Sequence, residues 1–69
     1  MNNVTFGNTL KNLRIESNLS QKQVTDKLAI SRQSVSKWEQ DISLPQINYL
    51  VPLTKILKCS IEDLVIFNE

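Results

Sequence analysis

Ser20-Gln21-Lys22-Gln23-Val24-Thr25-Asp26-Lys27-Leu28-Ala29-Ile30-Ser31-Arg32-Gln33-Ser34-Val35-Ser36-Lys37-Trp38-Glu39 holds two short amphipathic helices joined by too few residues to do anything but turn sharply. Ser20 stands three residues before Gln23, the spacing at which a hydroxyl and an amide each satisfy an orphan backbone donor of a first helical turn, so Ser20 reads as an N-cap. Ser31 repeats the role before Arg32. Leu28-Ala29-Ile30 between the two caps reads as the end of one helix, a turn, and re-entry into the core.

At 100° per residue, Val35 and Trp38 point to one side of the second helix with Glu39 beside them, while Gln33 and Lys37 lie one turn apart on the other. Ser36 falls between the faces, toward the polar side. Arg32 and Gln33 stand at the helix N-terminus, the end that enters the major groove in a helix-turn-helix and whose free N–H groups favour phosphate oxygens.

Outward from this segment, helical periodicity predicts an all-α chain of five helices, about Thr5 to Ser17, Gln21 to Leu28, Arg32 to Gln40, Gln46 to Lys58 and Ile61 to Ile66. Phe6, Leu10 and Leu13 form the inner stripe of the first, Val24 and Leu28 that of the second, and Ile47, Leu50, Leu53, Ile56 and Leu57 that of the fourth. Ile61, Leu64 and Val65 complete the core. Pro45 opens the fourth helix, where a missing donor does little harm, whereas Pro52 falls inside it and predicts a kink at a solvent-facing position, at a cost of around 3 kcal/mol. The 69 residues have room for one domain, with its core within 5–66, burying roughly 60% of its unfolded surface. There is no room for a substrate pocket plus a scaffold.

The net charge of +1 carries no nucleic-acid signal by itself. Its distribution carries more. Lys11, Arg14, Lys22, Lys27, Arg32 and Lys37 outnumber Glu16, Asp26 and Glu39 up to residue 40, and the balance then reverses, with Asp41, Glu62, Asp63 and Glu69 against Lys55 and Lys58. An ordinary solvated charge pattern would look similar, so the motif carries the argument. Cys59 has no second cysteine for a disulfide and no histidine to join it in a zinc site, and is expected to be a small buried hydrophobe. With one glycine there is no phosphate-binding Gly-rich loop; no catalytic residue, metal, cofactor or small-molecule ligand is expected. Met1-Asn2-Asn3-Val4 has no charged leader and no stretch approaches the roughly 20 apolar residues that span a bilayer, so no membrane association and a cytoplasmic location are expected.

From Leu10 to Val65 the chain resembles the lambda-repressor-like, or Xre, family of phage and bacterial DNA-binding domains. The resemblance is carried by Leu10-Lys11-Asn12-Leu13-Arg14, Leu19-Ser20-Gln21, Ile30-Ser31-Arg32-Gln33-Ser34-Val35-Ser36-Lys37-Trp38-Glu39, Pro45-Gln46-Ile47 and Ser60-Ile61-Glu62-Asp63-Leu64. It implies a compact five-helix domain whose helices 2 and 3 form the helix-turn-helix. It also implies an ion pair between Arg14 and Glu39, tying the first helix to the end of the recognition helix. Ala29 matches a position commonly occupied by glycine, which predicts a left-handed backbone there. Pro52, and Thr25 and Thr54 where the family tends to have a small alanine, are departures; each threonine is expected to bury its methyl and bond the carbonyl four residues back.

Double-stranded DNA is the partner the resemblance implies. Gln21 matches a phosphate-contacting position; Lys22, Ser31 and Ser34 are also assigned to phosphates. Arg32, Gln33, Ser36 and Lys37 are assigned to base edges: an arginine can bind guanine O6 and N7 or grip phosphate, a glutamine amide pairs with adenine N7 and N6, and Lys37 can reach guanine or a phosphate. Leu44, Ile66 and Phe67 are apolar without a core role and are assigned to a homodimer interface; Ile42 is apolar in the same way. The expected function is a sequence-specific transcriptional regulator, most simply a repressor that occupies a palindromic operator. The alternative is an antitoxin or anti-regulator acting mainly through a protein partner.

Overall fold

Hydroxyl caps start three of the five helices in a computed structural model that describes residues 4–65. Helix α1 (Phe6–Glu16) begins where Thr5 Oγ1 accepts the Asn8 N–H at 3.1 Å. Helix α2 (Gln21–Leu28) begins at a reciprocal box: Ser20 Oγ accepts from the Gln23 N–H at 3.0 Å, and Gln23 Oε1 accepts from the Ser20 N–H at 2.7 Å. Helix α3 (Arg32–Glu39) follows, then α4 (Ile47–Leu57), and Ser60 and Asp63 form a second box at the head of α5 (Ile61–Leu64). No strand occurs among the described residues.

The ends of α1 to α4 share one device. Asn18, Ala29, Asp41 and Lys58 take the left-handed conformation, with φ of 59°, 58°, 60° and 54°. In each case the next amide reaches back five residues, from Leu19 to the Arg14 carbonyl, Ile30 to Thr25, Ile42 to Lys37 and Cys59 to Thr54. The turn between α2 and α3 is closed by two bonds, the five-residue one from Ile30 N–H to Thr25 O at 3.1 Å and a three-residue one from Ala29 N–H to Asp26 O at 3.3 Å. None of the four residues is glycine, so each conformation costs about 1 kcal/mol.

All five helices contribute to one core of Leu10, Val24, Val35, Trp38, Leu53, Leu57 and Leu64. Helix α1 packs on α3 and α5, α2 on α3 and α4, and α4 on α5. The Trp38 and Tyr49 rings meet at 5.8 Å between centroids, tilted by 44°. Cys59 packs at the edge of this core; burial pushes its thiol above the usual range and the Asp63 carboxylate adds to the shift.

Several expectations need correcting. Ile47 is 83% exposed and Ile61 44%, although the helical period placed both in the core. Each is the first residue of its helix, and a helical side chain leans toward the N-terminus, which carries these two past the end of the packed layer. Pro45 lies before the cap residue Gln46 and does not open α4. Helix α4 continues through Pro52, which is half-buried rather than solvent-facing. Thr25 and Thr54 bond the carbonyls of Lys22 and Val51, three residues back and not four, at 2.7 and 2.6 Å. Thr25 is buried as expected, and Thr54 is half-buried. Helices α1, α3 and α4 are shorter than their periodicity suggested, because the left-handed closures or the caps take the terminal residues.

Candidate nucleic-acid interface

Helix α3 is divided by exposure along its own period. Val35, Trp38 and Glu39 are buried, whereas Arg32, Gln33 and Lys37 are exposed and Ser34 and Ser36 are half-buried. The apolar side is held by α1 and α2, which leaves the polar side open to a partner.

What fixes α3 against the other two helices is a buried carboxylate. Glu39 Oε2 accepts from Arg14 Nε at 2.6 Å, and Glu39 Oε1 accepts from Arg14 Nη2 at 3.2 Å and from Gln21 Nε2 at 3.0 Å. The remaining Arg14 nitrogen, Nη1, donates to the Leu19 carbonyl at 2.8 Å. The side chains of Arg14 and Glu39 are 12% and 3% exposed. A fork of this kind satisfies both charges in planar, paired geometry, which a lysine could not reproduce. Gln21, at the first position of α2, therefore enters any DNA contact with its amide already oriented by Glu39.

The other residues assigned to phosphate are placed differently. Lys22 is exposed on α2 and pairs with Asp26 at 2.8 Å, one turn on. Ser31 occupies the cap position of α3 in extended backbone but makes no side-chain capping bond, contrary to expectation. The Ser34 N–H is taken by the Ser31 backbone carbonyl at 3.1 Å, and the Ser31 hydroxyl meets the Ser34 hydroxyl at 3.2 Å. Ser36 Oγ accepts from Gln40 Nε2 at 2.8 Å. Leu44, assigned to a dimer contact, is 70% exposed; Ile66 and Phe67, assigned with it, lie outside the described residues.

A second junction, at the same C-terminal end, also positions α3. The N–H of Gly7 donates to Asp41 Oδ1 at 2.9 Å, and a Cβ at Gly7 would stand 2.5 Å from the Glu39 carbonyl oxygen and 2.7 Å from that of Trp38. The start of α1 thus lies directly against the last turn of α3, an approach that only glycine permits. Sequence reasoning missed Gly7, Asp41 and Gln40. The chain's one glycine, placed inside a helical pattern and not at a turn, was the available signal for the first.

Among the described residues no group of three acidic, cysteine or histidine side chains could hold a metal, and no helix is long and apolar enough to cross a membrane. A profile described as "Helix-turn-helix" matches residues 10–64. Over 60 residues the chain is 33% identical to the HTH-type transcriptional activator BcrR of Enterococcus faecalis, a match covering 87% of this chain and 29% of that protein. The chain therefore spans well under a third of that relative's length. In fold it is similar to the P22 c2 repressor protein, crystallised in complex with synthetic operator 9T in the presence of Tl+, with a TM-score of 0.84 and 24% identity, covering 91% of this chain and 96% of that one.

Proposed function

The chain belongs to the helix-turn-helix family as a lambda-repressor-like, DNA-binding domain of a transcription regulator, and on that premise we propose that it represses transcription by binding a palindromic operator as a homodimer, with α3 in the major groove. The observation that carries this reading is the split of α3, with Val35, Trp38 and Glu39 buried and Arg32, Gln33 and Lys37 presented together on the open side. In the proposed complex Gln33 and Lys37, one turn apart, read base edges with Arg32 and Ser36, while Gln21, Lys22, Ser31 and Ser34 hold phosphates. The members of this family are regulators and not enzymes, and the chain needs no cofactor to act in this way. The cytoplasmic placement expected from the sequence goes with that reading.

Pairing of two copies is supported by aliphatic side chains around α4 and α5. Leu44, Ile47, Val51 and Ile61 are exposed beside two shallow apolar grooves that share Leu50 and Val65. A two-fold pairing there would set two α3 helices about 34 Å apart, one turn of B-DNA. The P22 c2 relative in fold was crystallised with an operator, which favours the repressor reading; the relative named a transcriptional activator favours the second reading, activation from the same kind of site. Selecting bound duplexes from a random pool tests the first part: enriched sequences should be two-fold symmetric. Recovery of only asymmetric sites, bound by single copies, would overturn it. A reporter promoter carrying the selected site then separates repression from activation by the sign of its response.

A further inference from the structure

Gln40 stands one turn beyond Ser36, at the end of α3 and on its exposed side. Its Nε2 lies 2.8 Å from Ser36 Oγ and 3.2 Å from the Ser36 carbonyl oxygen. A carbonyl oxygen can only accept, so the amide nitrogen faces Ser36 and the serine oxygen receives a hydrogen bond. A hydroxyl within a helix ordinarily turns its proton back onto a carbonyl three or four residues earlier. Thr25 and Thr54 do so. Ser36, by contrast, donates to no acceptor among the described residues. One lone pair of its oxygen is engaged, its proton is free, and the incoming bond polarises the O–H and makes it a better donor.

We propose that Gln40 is a specificity-determining positioning residue, which commits Ser36 to act as a hydrogen-bond donor toward a base edge. The selected base carries a major-groove acceptor at that point, a purine N7, guanine O6 or thymine O4; cytosine, which offers its N4 amino group there, is disfavoured. The inference rests on the reading that α3 enters the major groove. Gln40 need not touch DNA to act; by taking one of the two lone pairs of the Ser36 oxygen it turns the hydroxyl proton, and not the oxygen, toward the groove, which favours an acceptor there over the cytosine amino group.

The test is selection from a randomised duplex pool with the full chain, comparing wild type, Ser36→Ala, Gln40→Ala and the double variant, with Arg32→Ala, Gln33→Ala and Lys37→Ala alongside. Both Ser36 and Gln40 lie on the open side of α3, so thermal melts should confirm that every variant of the pair folds. Wild type should disfavour cytosine at one position by about fivefold, the worth of one hydrogen bond. Gln40→Ala should relax that discrimination at the same position alone. In the Ser36→Ala background it should change nothing further. The proposal is overturned if Gln40→Ala leaves the preference intact, if its effect persists without the Ser36 hydroxyl, or if it weakens all sequences alike as a lost phosphate contact would. Unchanged preferences in the Arg32, Gln33 and Lys37 variants would instead refute the major-groove reading itself, and the proposal with it.

Discussion

The two halves of the molecule are held together by different physics. From α1 to α3 the helices are joined by oriented polar contacts: the Arg14–Glu39 ion pair, together with the Gln21–Glu39 and Gly7–Asp41 bonds. Helices α4 and α5 are held by Leu53, Leu57 and Leu64 and leave aliphatic side chains in the open. Hydrophobic packing is non-directional, whereas a bidentate fork sets an angle. The half that presents α3 is the half built from directional contacts.

Breaking the Glu39 junction should give the largest effect. Glu39→Ala leaves Arg14 mostly buried without its partner, and a loss of about 3 to 5 kcal/mol in chemical denaturation is expected. A loss under 1 kcal/mol would mean that the fork orients α3 without stabilising it. Gly7→Ala comes next: the new Cβ meets two backbone carbonyls that cannot rotate away, so α1 must shift, at about 1 to 3 kcal/mol. Its effect on unfolding should exceed that of Asp41→Asn, which keeps an acceptor near the Gly7 N–H.

Substitutions on the two open surfaces should sharpen the contrast without unfolding either half. Gln33→Ala should alter base preference at one or two positions and cost about 1 to 3 kcal/mol on the best site, read by competition binding. Ile47→Ser with Val51→Ser should leave stability within about 0.5 kcal/mol, since both are exposed, while lowering self-association in sedimentation equilibrium. Undiminished association would move the interface elsewhere. Ala29→Gly should be neutral or stabilising by up to about 1 kcal/mol, because its left-handed conformation carries a Cβ penalty that glycine lacks. Lys22→Ala, which removes an exposed pair, should change stability by about 0.5 kcal/mol or less and weaken binding to all duplexes alike.

What could be read from sequence was what is local. The spacing of Ser20 and Gln23 and the period of Val35 and Trp38 are set within one or two turns, so the start of α2 and the faces of α3 follow from nearest neighbours. Ile47 and Ile61 obey the same period yet stand outside the core, because periodicity gives the face of a helix and not how far along its axis the neighbouring layer extends. Ser31 has the residue type of a cap, but Ser34 follows where Gln23 follows Ser20, and the first turn closes on backbone instead. The Gly7–Asp41 contact joins residues 34 apart and leaves no periodic trace. For the candidate site, the exposure of Arg32, Gln33 and Lys37 was legible. The rotation of each polar group was not, since it depends on partners such as Gln40 and Glu39 that periodicity ranks only as exposed or buried.

The doubly bonded closure at Ala29 and Ile30 has a thermodynamic consequence for docking. An α3 that was ordered only on contact would lose about 1 to 2 kcal/mol of conformational entropy for each residue fixed. Here the turn that sets α3 is closed by the chain's own backbone bonds, so the heat-capacity change of association should follow the surface desolvated, without the surplus that signals coupled folding. The rate of encounter is then governed by orientation and charge, not by a search among backbone conformations.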